Sequence, residues 1–277
     1  RGTYTKYNLD FSNDVFDLLE HGFDQISVEP VMADENDPYA ITEADLPAIF
    51  KEYEVLMNKI LDYEKTGKKF NFVLADLGVS SMQIDNPERG FSYKVDGPLD
   101  LRMNPRKGKS GAERLQELTY AEIVGMLTEN SDEPYAEQIA RTIMRWRNKG
   151  TFIATTTQLR ECITEALDFL PKGEKKEIIK KSCQRTFQAI RIDVNSEFEV
   201  LYSFLEKLPG ILAPGGRAAI LTFHSGEDRL VKRSFKELHR EGVYSDVARD
   251  VIRPTPEECV KNPRSKSTKM RWAIKAE

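Results

Sequence analysis

The sequence is poor in cysteine and histidine and has no long apolar run. Its three cysteines, Cys162, Cys183 and Cys259, are far apart in 277 residues, which argues against a disulfide framework and a Cys-x-x-Cys metal site. We therefore expect no metal centre. No apolar run approaches the roughly 18 residues that a membrane span needs. Because the sequence starts with neither Met nor an apolar signal segment, we interpret it as a fragment or a processed chain of the reducing cytoplasm.

Charge is distributed unevenly along the chain. The whole sequence has 41 Lys and Arg against 45 Asp and Glu, but residues 1–66 have only 5 against 15. Basic residues concentrate in residues 229–240 and 261–277, and such clusters attract phosphate backbones. A solvated helix face followed by a basic tail is the alternative. The candidates for phosphate contacts in these clusters are Arg229, Lys232, Arg233, Arg264, Lys266, Lys269 and Arg271.

The first part of the chain has the pattern of an α/β protein. Residues 3–8, 23–31 and 71–76 predict strands, and helices are predicted to end near Leu19 and Lys65. The third of these strands is a short apolar run, which is typical of a buried strand. This β-α-β-α-β order favours a parallel sheet with crossover helices.

The rest of the chain predicts a group of helices followed by further strands. Residues 115–127, 135–150, 155–170 and 174–183 are expected to be helices of an insertion, and residues 186–208 continue as a helix. The sequence Pro214-Gly215-Gly216 predicts a turn. It is followed by a buried strand at 217–224, a basic helix from Gly226 and a last strand at 267–276.

The segment DLGVSS (76–81) follows the third strand, where α/β sheets bind ligands. Asp76 can accept hydrogen bonds from an amine or hydroxyl group. Gly78 lets a ligand approach the backbone closely, and Ser80 and Ser81 add donors. A structural turn with a capping acid is the alternative.

The loop at residues 86–103 is rich in proline, glycine, aromatic and charged residues. Long ordered loops are usually functional. Phe91 or Tyr93 could stack on an unpaired base, and Arg89 and Arg102 could hold phosphates. The alternative is a solvated loop with apolar anchors.

Two further polar clusters flank the later strand and helix. His224 ends the strand before the basic helix, whose N-terminus would favour an anion, although a lone histidine is more often structural. Gln188, Arg191, Asn195 and Glu197 lie at helical spacing. A surface lattice of ion pairs is the alternative for this second cluster.

Four longer segments together resemble one protein family. In order, they are DLGVSSMQIDNPERGFSYKVDGPLDLRMNP, TFQAIRIDVNSEFE, LAPGGRAAILTFHSGEDRLVKR and NPRSKSTKMR. They are similar, in order and spacing over about residues 72–277, to the bacterial cytosine-N4 methyltransferases of 16S ribosomal RNA, the RsmH (MraW) family. Met82 stands where this family usually has Pro, and Gly226 where it usually has Leu.

The resemblance implies a class I, Rossmann-like methyltransferase with a parallel sheet. It divides the chain into a first segment (1–71), a sheet core (72–111 with 183–277) and an inserted helical domain (112–182). It also implies S-adenosylmethionine as the cofactor, with Asp76 and Gln83 as contacts and Gly78 beside them. The substrate would be a cytosine in the decoding centre of 16S rRNA within the small ribosomal subunit, with no membrane partner.

The reaction that the resemblance implies is methyl transfer to the exocyclic N4 of cytosine. This amine is a poor nucleophile because its lone pair is delocalised into the ring, so positioning and hydrogen bonds to the N4 hydrogens must supply most of the catalysis. The candidates for holding the base are Ser80, Ser81, Asp100 and His224. The helical insertion, both basic clusters, Arg89 and Arg102 would hold the RNA.

Residues 1–71 depart from the family, which begins with a strand, a glycine-rich loop and an acid that ends the second strand. Gly2 and Gly22 are isolated, and Glu29 is the acid that ends a predicted strand. This βαβα segment resembles part of the barrel of a radical S-adenosylmethionine maturase of six-cysteine peptides, yet no cysteine precedes Cys162. The charge break near residue 66 and the change of resemblance near residue 72 predict a junction.

Three functions follow from these observations. The first is an rRNA cytosine-N4 methyltransferase whose cofactor binding is weakened by loss of the glycine-rich loop. The second is a catalytically inactive RNA-binding chimera. The third is a fragment of a radical peptide maturase.

Overall fold

A four-stranded sheet with a parallel half and an antiparallel half organises the computed structural model, which describes residues 2–21, 28–30, 37–65, 67 and 69–277. None of the helices in these ranges is long and apolar enough to cross a membrane. The strands are β1 (Gly2–Tyr4), β2 (Val28–Pro30), β3 (Phe70–Asp76), β4 (Leu212–Thr222), β5 (Tyr244–Val247) and β6 (Lys269–Lys275). The helices are α1 (Phe11–Glu20), α2 (Leu46–Lys65), α3 (Ser81–Asp85), α4 (Gly111–Glu117), α5 (Tyr120–Ser131), α6 (Ala136–Asn148), α7 (Thr156–Ala166), α8 (Lys172–Asn195), α9 (Glu197–Ile211), α10 (Ser225–Arg240) and α11 (Pro256–Lys261).

The main sheet has the strand order β3-β4-β6-β5. Strands β3 and β4 are parallel, with Asp76 opposite Leu221, whereas β6 runs antiparallel to both of its neighbours. Because β3 and β4 are parallel, their carboxyl ends lie at the same edge of the sheet. Helices α4 to α8 all lie in the crossover between these two strands, so the predicted α/β class with inserted helices is confirmed.

The prediction that β3 is a buried strand is wrong for one of its faces. The side chains of Phe72 and Leu74 are 43% and 56% exposed. Val73 and Ala75, on the opposite face, pack against the apolar cluster under the sheet. Within the described residues β3 is an edge strand, so an apolar run did not establish burial on both sides.

The first strands do not join the main sheet, contrary to the single parallel sheet that the β-α-β-α-β order favours. Among the described residues, β1 and β2 form a separate parallel pair in which Thr3 lies opposite Glu29. Their unit has its own small core of Tyr4, Phe11 and Ile49. The first strands therefore bury apolar side chains in a core that contains no described residue of β3. Residues 22–27 and 31, within or beside the second predicted strand, lie outside the described residues, as does the side chain of Glu29.

The insertion contains more helix boundaries than the apolar periodicity predicts. The expected helix at 115–127 is two helices, because Thr119 begins α5 with a capping box in which its hydroxyl accepts from the Glu122 amide and Glu122 accepts in return. Helix α8 runs without interruption past residue 183 and ends at Ser196, whose φ of 48° is left-handed. The predicted helix at 186–208 is therefore divided between α8 and α9.

The loop at residues 86–103 is anchored in the core of the helical insertion. Leu99 and Leu101 are each 1% exposed and belong to the apolar cluster of the helices, against which Phe91 and Tyr93 also pack. Both aromatic rings are therefore partly buried apolar anchors of the loop in this structure. The boundary predicted at residue 111 stays a prediction, although this packing joins the loop to the helices.

The predicted turn at Pro214–Gly216 is an irregular part of β4. Strand β4 begins at Leu212, and its register against β3 shifts between Phe70 and Phe72. Gly215 has a φ of +70°, which glycine adopts without steric cost. A Cβ at Gly216 would lie 2.9 Å from the Phe70 carbonyl oxygen, so the two strands approach too closely there for a side chain.

Candidate functional site

A cavity of about 1000 Å³ lies at the carboxyl ends of β3 and β4. Its position is the one where open α/β sheets bind ligands, and its volume is at the upper end of the range for small-molecule sites. Residues from four separate segments of the chain line it: Asp76, Leu77, Gly78, Val79, Ser80, Gln83, Ile84, Gln188, Arg191, Leu221, Phe223, His224, Glu258, Asn262, Pro263, Arg264, Ser265, Ser267 and Thr268.

The Asp76 carboxylate is an acceptor with no hydrogen-bond partner among the described residues. It ends β3 and lines the cavity. Partial burial raises the pKa of Asp76, and the negative charge of Glu227 raises it further. A ligand that donates a hydrogen bond from a hydroxyl or amine group would stabilise the ionised form of this carboxylate.

The turn after Asp76 is held by a reciprocal pair of hydrogen bonds. The Ser80 amide donates to Gln83 Oε1 at 2.9 Å, and the Gln83 amide donates to Ser80 Oγ at 3.3 Å. Gly78 has a φ of +91°, which favours glycine at this position. Gln83 Nε2 remains a donor at the cavity. Ser81 begins α3, and its side chain lies outside the described part of the structure.

His224 is tied to the first turn of α10. Its Nδ1 accepts a long hydrogen bond of 3.4 Å from the Glu227 amide, and its Nε2 lies 3.2 Å from Glu227 Oε1. His224 therefore caps the helix and lines the cavity at the same time.

Glu227 lies behind His224, with a side chain only 5% exposed. Its Oε2 accepts a hydrogen bond from the Phe223 amide at 2.9 Å. Burial alone would raise the pKa of Glu227, but the hydrogen bond and charge of His224, the Phe223 amide and the charge of Arg191 lower it by more. The net effect is an ionised carboxylate that orients the histidine.

Arg191 and Gln188 also line the cavity, from α8. Arg191 donates from Nε and Nη2 to the two oxygens of Glu197, at 2.8 and 2.9 Å. The sequence shows both residues at helical spacing, but it did not mark them as binding residues, because only the fold brings this helix face to the sheet edge. The cavity wall from residues 258–268 includes Arg264, which the sequence marked as a phosphate contact and not as a cavity residue.

Glu197, His224 and Glu227 bring three ligand-type atoms within 4.8 Å of one another. The Arg191 guanidinium already neutralises Glu197 from one side. We therefore interpret the group as an ion-pair network that supports the cavity wall.

Asp100 is placed differently from the other predicted base-holding residues. Its carboxylate accepts from Arg102 Nε and Nη2 at 2.8 and 2.7 Å, and it is not among the described residues that line the cavity. Arg89 donates to the carbonyl oxygens of Arg102 and Met103 at 2.8 and 2.9 Å. These three side chains hold the loop together. All three nitrogens of the Arg102 guanidinium already donate hydrogen bonds, whereas Arg89 donates only from Nη2, and its buried Nε has no partner among the described residues.

The predicted basic contacts divide into two groups. Arg271 is buried and donates to both oxygens of Asp228, which Lys269 also approaches at 4.0 Å. The others lie on the surface. Arg229 pairs with Asp132, Arg233 with Glu237 and Arg264 with Asp85, whereas Lys232 and Lys266 are exposed and pair with no carboxylate of the described residues.

A family model and the curated relatives of this chain indicate the same protein family. The sequence model of the MraW methylase family matches residues 24–276. This match reaches back into the first segment, which the sequence analysis compared with radical peptide maturases. The charge break near residue 66 therefore lies inside the region that the family model covers.

Several curated relatives are ribosomal RNA small subunit methyltransferases H. The chain is 68% identical over 207 residues to one from Lachnoclostridium phytofermentans and 66% identical over 208 residues to one from Agathobacter rectalis. Each of these alignments covers 75% of this chain, but only 57% and 60% of the respective relative. A relative from Thioalkalivibrio sulfidiphilus is 41% identical, and that alignment covers 79% of this chain and 72% of the relative. The chain belongs to the MraW methylase family.

Proposed function

We propose that this chain belongs to an S-adenosylmethionine-dependent methyltransferase that modifies N4 of a cytosine in the 16S rRNA of the small ribosomal subunit. The observation that carries the proposal is the shared cavity. His224 is distant in the sequence from Asp76 and Gln83, yet all three line one cavity at the carboxyl ends of two parallel strands. The names of the relatives support ribosomal RNA as the substrate.

The cavity fits part of the cofactor. Asp76 offers an unpartnered carboxylate for a hydroxyl or amine, and Gln83 Nε2 offers a donor beside it. The positive φ of Gly78 brings backbone to the cavity wall without a Cβ. Bound S-adenosylmethionine would supply an electrophilic methyl group on its sulfonium. The glycine-rich loop that would hold the rest of the cofactor is missing from the sequence of residues 1–71, so we expect weak binding.

The protein's own contribution is to orient the base and to exclude water. The N4 amine needs an acceptor for its hydrogens and a fixed plane, because its lone pair is delocalised. Ser80 and His224 lie on the same cavity as Asp76, whereas Asp100 does not, so we retain the first two as candidates for holding the base. Lys232, Lys266 and Arg264 are the exposed cations that we retain for the RNA backbone.

The test is transfer of a labelled methyl group to purified small-subunit rRNA, followed by mass spectrometry of the nucleosides. We expect N4-methylcytidine as the product. Methylation at another atom or in another base would contradict the proposal. Titration calorimetry with S-adenosylmethionine gives an independent measure of cofactor binding.

Matched variants separate the cavity from the rest of the protein. Gln83→Ala removes a cavity donor, and Gln116→Ala removes the same side chain from an exposed position on α4. We expect only the first to weaken cofactor binding. Retained, salt-dependent rRNA binding without any methyl transfer would instead identify an inactive RNA-binding chain.

A further inference from the structure

Two side chains of α8 present one acceptor and one donor at the cavity. Gln188 and Arg191 are one helical turn apart, lie on the same helix face and both line the cavity. Neither belongs to the DLGVSS segment or to the segment after β4 that holds His224. Their role is therefore separate from that of the residues already assigned.

The orientation of the Gln188 amide is set by the helical insertion. Its Nε2 donates to the Asn130 carbonyl oxygen at 3.2 Å. The reversed amide would bring two oxygen acceptors together, so this contact assigns Nε2 and Oε1. Within the described residues Oε1 receives no hydrogen bond. Gln188 thus offers an acceptor at the cavity.

Arg191 offers the complementary group. Glu197 takes its Nε and Nη2 donors, and the side chains of the pair are only 16% and 10% exposed. The guanidinium plane is therefore fixed, as a bidentate pair requires. Nη1 has no hydrogen-bond partner among the described residues, and it remains a donor with a set direction.

We infer that Gln188 and Arg191 read the Watson–Crick edge of a flipped-out cytosine, with Gln188 Oε1 accepting from N4–H and Arg191 Nη1 donating to N3 or O2. This inference rests on the proposed function. Cytosine presents a donor at N4 and acceptors at N3 and O2, whereas uracil has an acceptor at position 4 and a donor at N3. Enzymes that modify a base read it in this way after extrusion.

The same contact would hold the amine for reaction. A hydrogen bond to one N4 hydrogen fixes the plane of the amino group and leaves both faces of the nitrogen open to a methyl donor. Uracil in the same place would set two oxygens against each other at Gln188, which leaves buried polar groups unpaired. The preference for cytosine over uracil then follows from the acceptor of Gln188 and the donor of Arg191 together.

The test uses two labelled single-stranded RNAs that differ only by cytosine or uracil at one central position. Fluorescence anisotropy with the full chain measures the preference for cytosine. We expect Gln188→Ala and Arg191→Lys each to reduce this preference by about tenfold, within the range for a good base contact. Binding through the phosphates should change little.

Two controls lie outside the cavity. Gln184→Ala removes the same side chain one turn earlier on α8, and Arg114→Lys alters a similar bidentate pair, with Asp193. Both should keep the full preference for cytosine. Gln188→Ala leaves the Arg191–Glu197 pair intact, so it tests the inference even where Arg191→Lys disturbs folding.

The outcomes distinguish this inference from the proposed function. If Gln188→Ala and Arg191→Lys prefer the cytosine RNA as strongly as the unsubstituted chain does, α8 does not read the base. The methyltransferase proposal would still stand. An unsubstituted chain that binds both RNAs equally and transfers no methyl group would overturn the proposed function and, with it, the inference.

Discussion

Asn195 holds Leu101 in place across the interface between α8 and the long loop. Its Nδ2 donates to the Leu101 carbonyl oxygen at 2.8 Å, and its Oδ1 accepts from the Met103 amide at 2.7 Å. Leu101 has a φ of 64°, a conformation that costs a residue with a Cβ free energy. The amide of one side chain therefore satisfies the backbone of a strained segment whose leucine is buried.

The first prediction is that Asn195→Ala destabilises the protein. The substitution removes three hydrogen bonds to partly buried backbone groups, two to the loop and one to the Arg191 carbonyl oxygen, which lowers the free energy of unfolding by about 1–3 kcal/mol. Urea unfolding followed by circular dichroism measures the change. Asn104→Ala, at an exposed position directly after the loop, is the control. Equal stability of both variants would show that the loop is held by its leucines alone.

The second prediction concerns Asp76 and pH. Its pKa is raised above the ordinary value of 3.8, by burial first and then by Glu227. The folded protein therefore binds the proton more tightly than the unfolded chain, and the contribution of Asp76 to stability falls as the pH rises from 3.8 through the raised pKa. We expect Asp76→Asn to be more stable than the parent at neutral pH.

Urea unfolding curves of Asp76→Asn and the parent across this pH range test whether the stability difference changes with pH in the expected direction. The difference in stability should shrink towards acid pH, where the carboxyl group is protonated in both states. Asp85→Asn serves as a control for loss of an exposed carboxylate near the cavity. A difference that grows at acid pH would contradict the raised pKa of Asp76.

The third prediction is the opposite dependence for Glu227. Burial alone would raise its pKa, but His224, the Phe223 amide and Arg191 lower it below the ordinary value of 4.5. Its stabilising contribution is therefore complete above pH 4.5 and is lost as the pH falls through the lowered pKa. Glu227→Gln should cost about 1–3 kcal/mol at neutral pH and less in acid.

Thermal or urea unfolding of Glu227→Gln at several pH values tests this dependence. Glu241→Gln, at the exposed C-terminal end of the same helix, controls for the general loss of a negative charge. A constant stability difference at all pH values would mean that the Glu227 carboxylate is not the group that titrates.

The fourth prediction concerns Gly226, the second residue of α10. A Cβ at this position would lie 2.7 Å from Phe198 Cζ, which is too close for the present arrangement of the ring. Gly226→Leu should therefore lower the free energy of unfolding by about 1–3 kcal/mol, as overpacking does. Denaturant titration measures this loss.

A second substitution identifies the cause. Phe198→Ala in the Gly226→Leu background should recover part of the stability, because it removes the atom that the new side chain meets. Gly210→Ala is the control glycine, since nothing lies within 4 Å of a Cβ there. No recovery in the double variant would assign the loss to the backbone of α10.

Much of the secondary structure could be predicted from local signals. Helix α2, strand β3 and strand β6 lie within a residue or two of the predicted bounds, because periodicity and caps are local properties. The break between α4 and α5 was also readable, from the Thr119–Glu122 capping box, but the apolar spacing alone obscured it. The break at Ser196 has no comparable local signal.

The candidate site was predictable only in part. The acid that ends β3 and the histidine after β4 stand out because catalytic and binding groups collect at strand ends. The partners of Asp100, Arg89 and Arg102 could not be predicted, since opposite charges separated by a few residues in a loop can face each other or solvent. Their mutual contacts exist because Leu99 and Leu101 bury the loop.

The amino-acid sequence by itself determined the α/β class, the order of helices and strands and the motifs that mark the family, because these depend on neighbours along the chain. Tertiary structure alone decided which polar groups share the cavity, and it put Gln188 and Arg191 of α8 in the same lining as Asp76. It also left Phe72 and Leu74 exposed. Packing between distant segments decides which residues share the cavity and which face of a strand is covered. The hydrophobic effect is not directional, so a local apolar pattern does not specify which partner covers it.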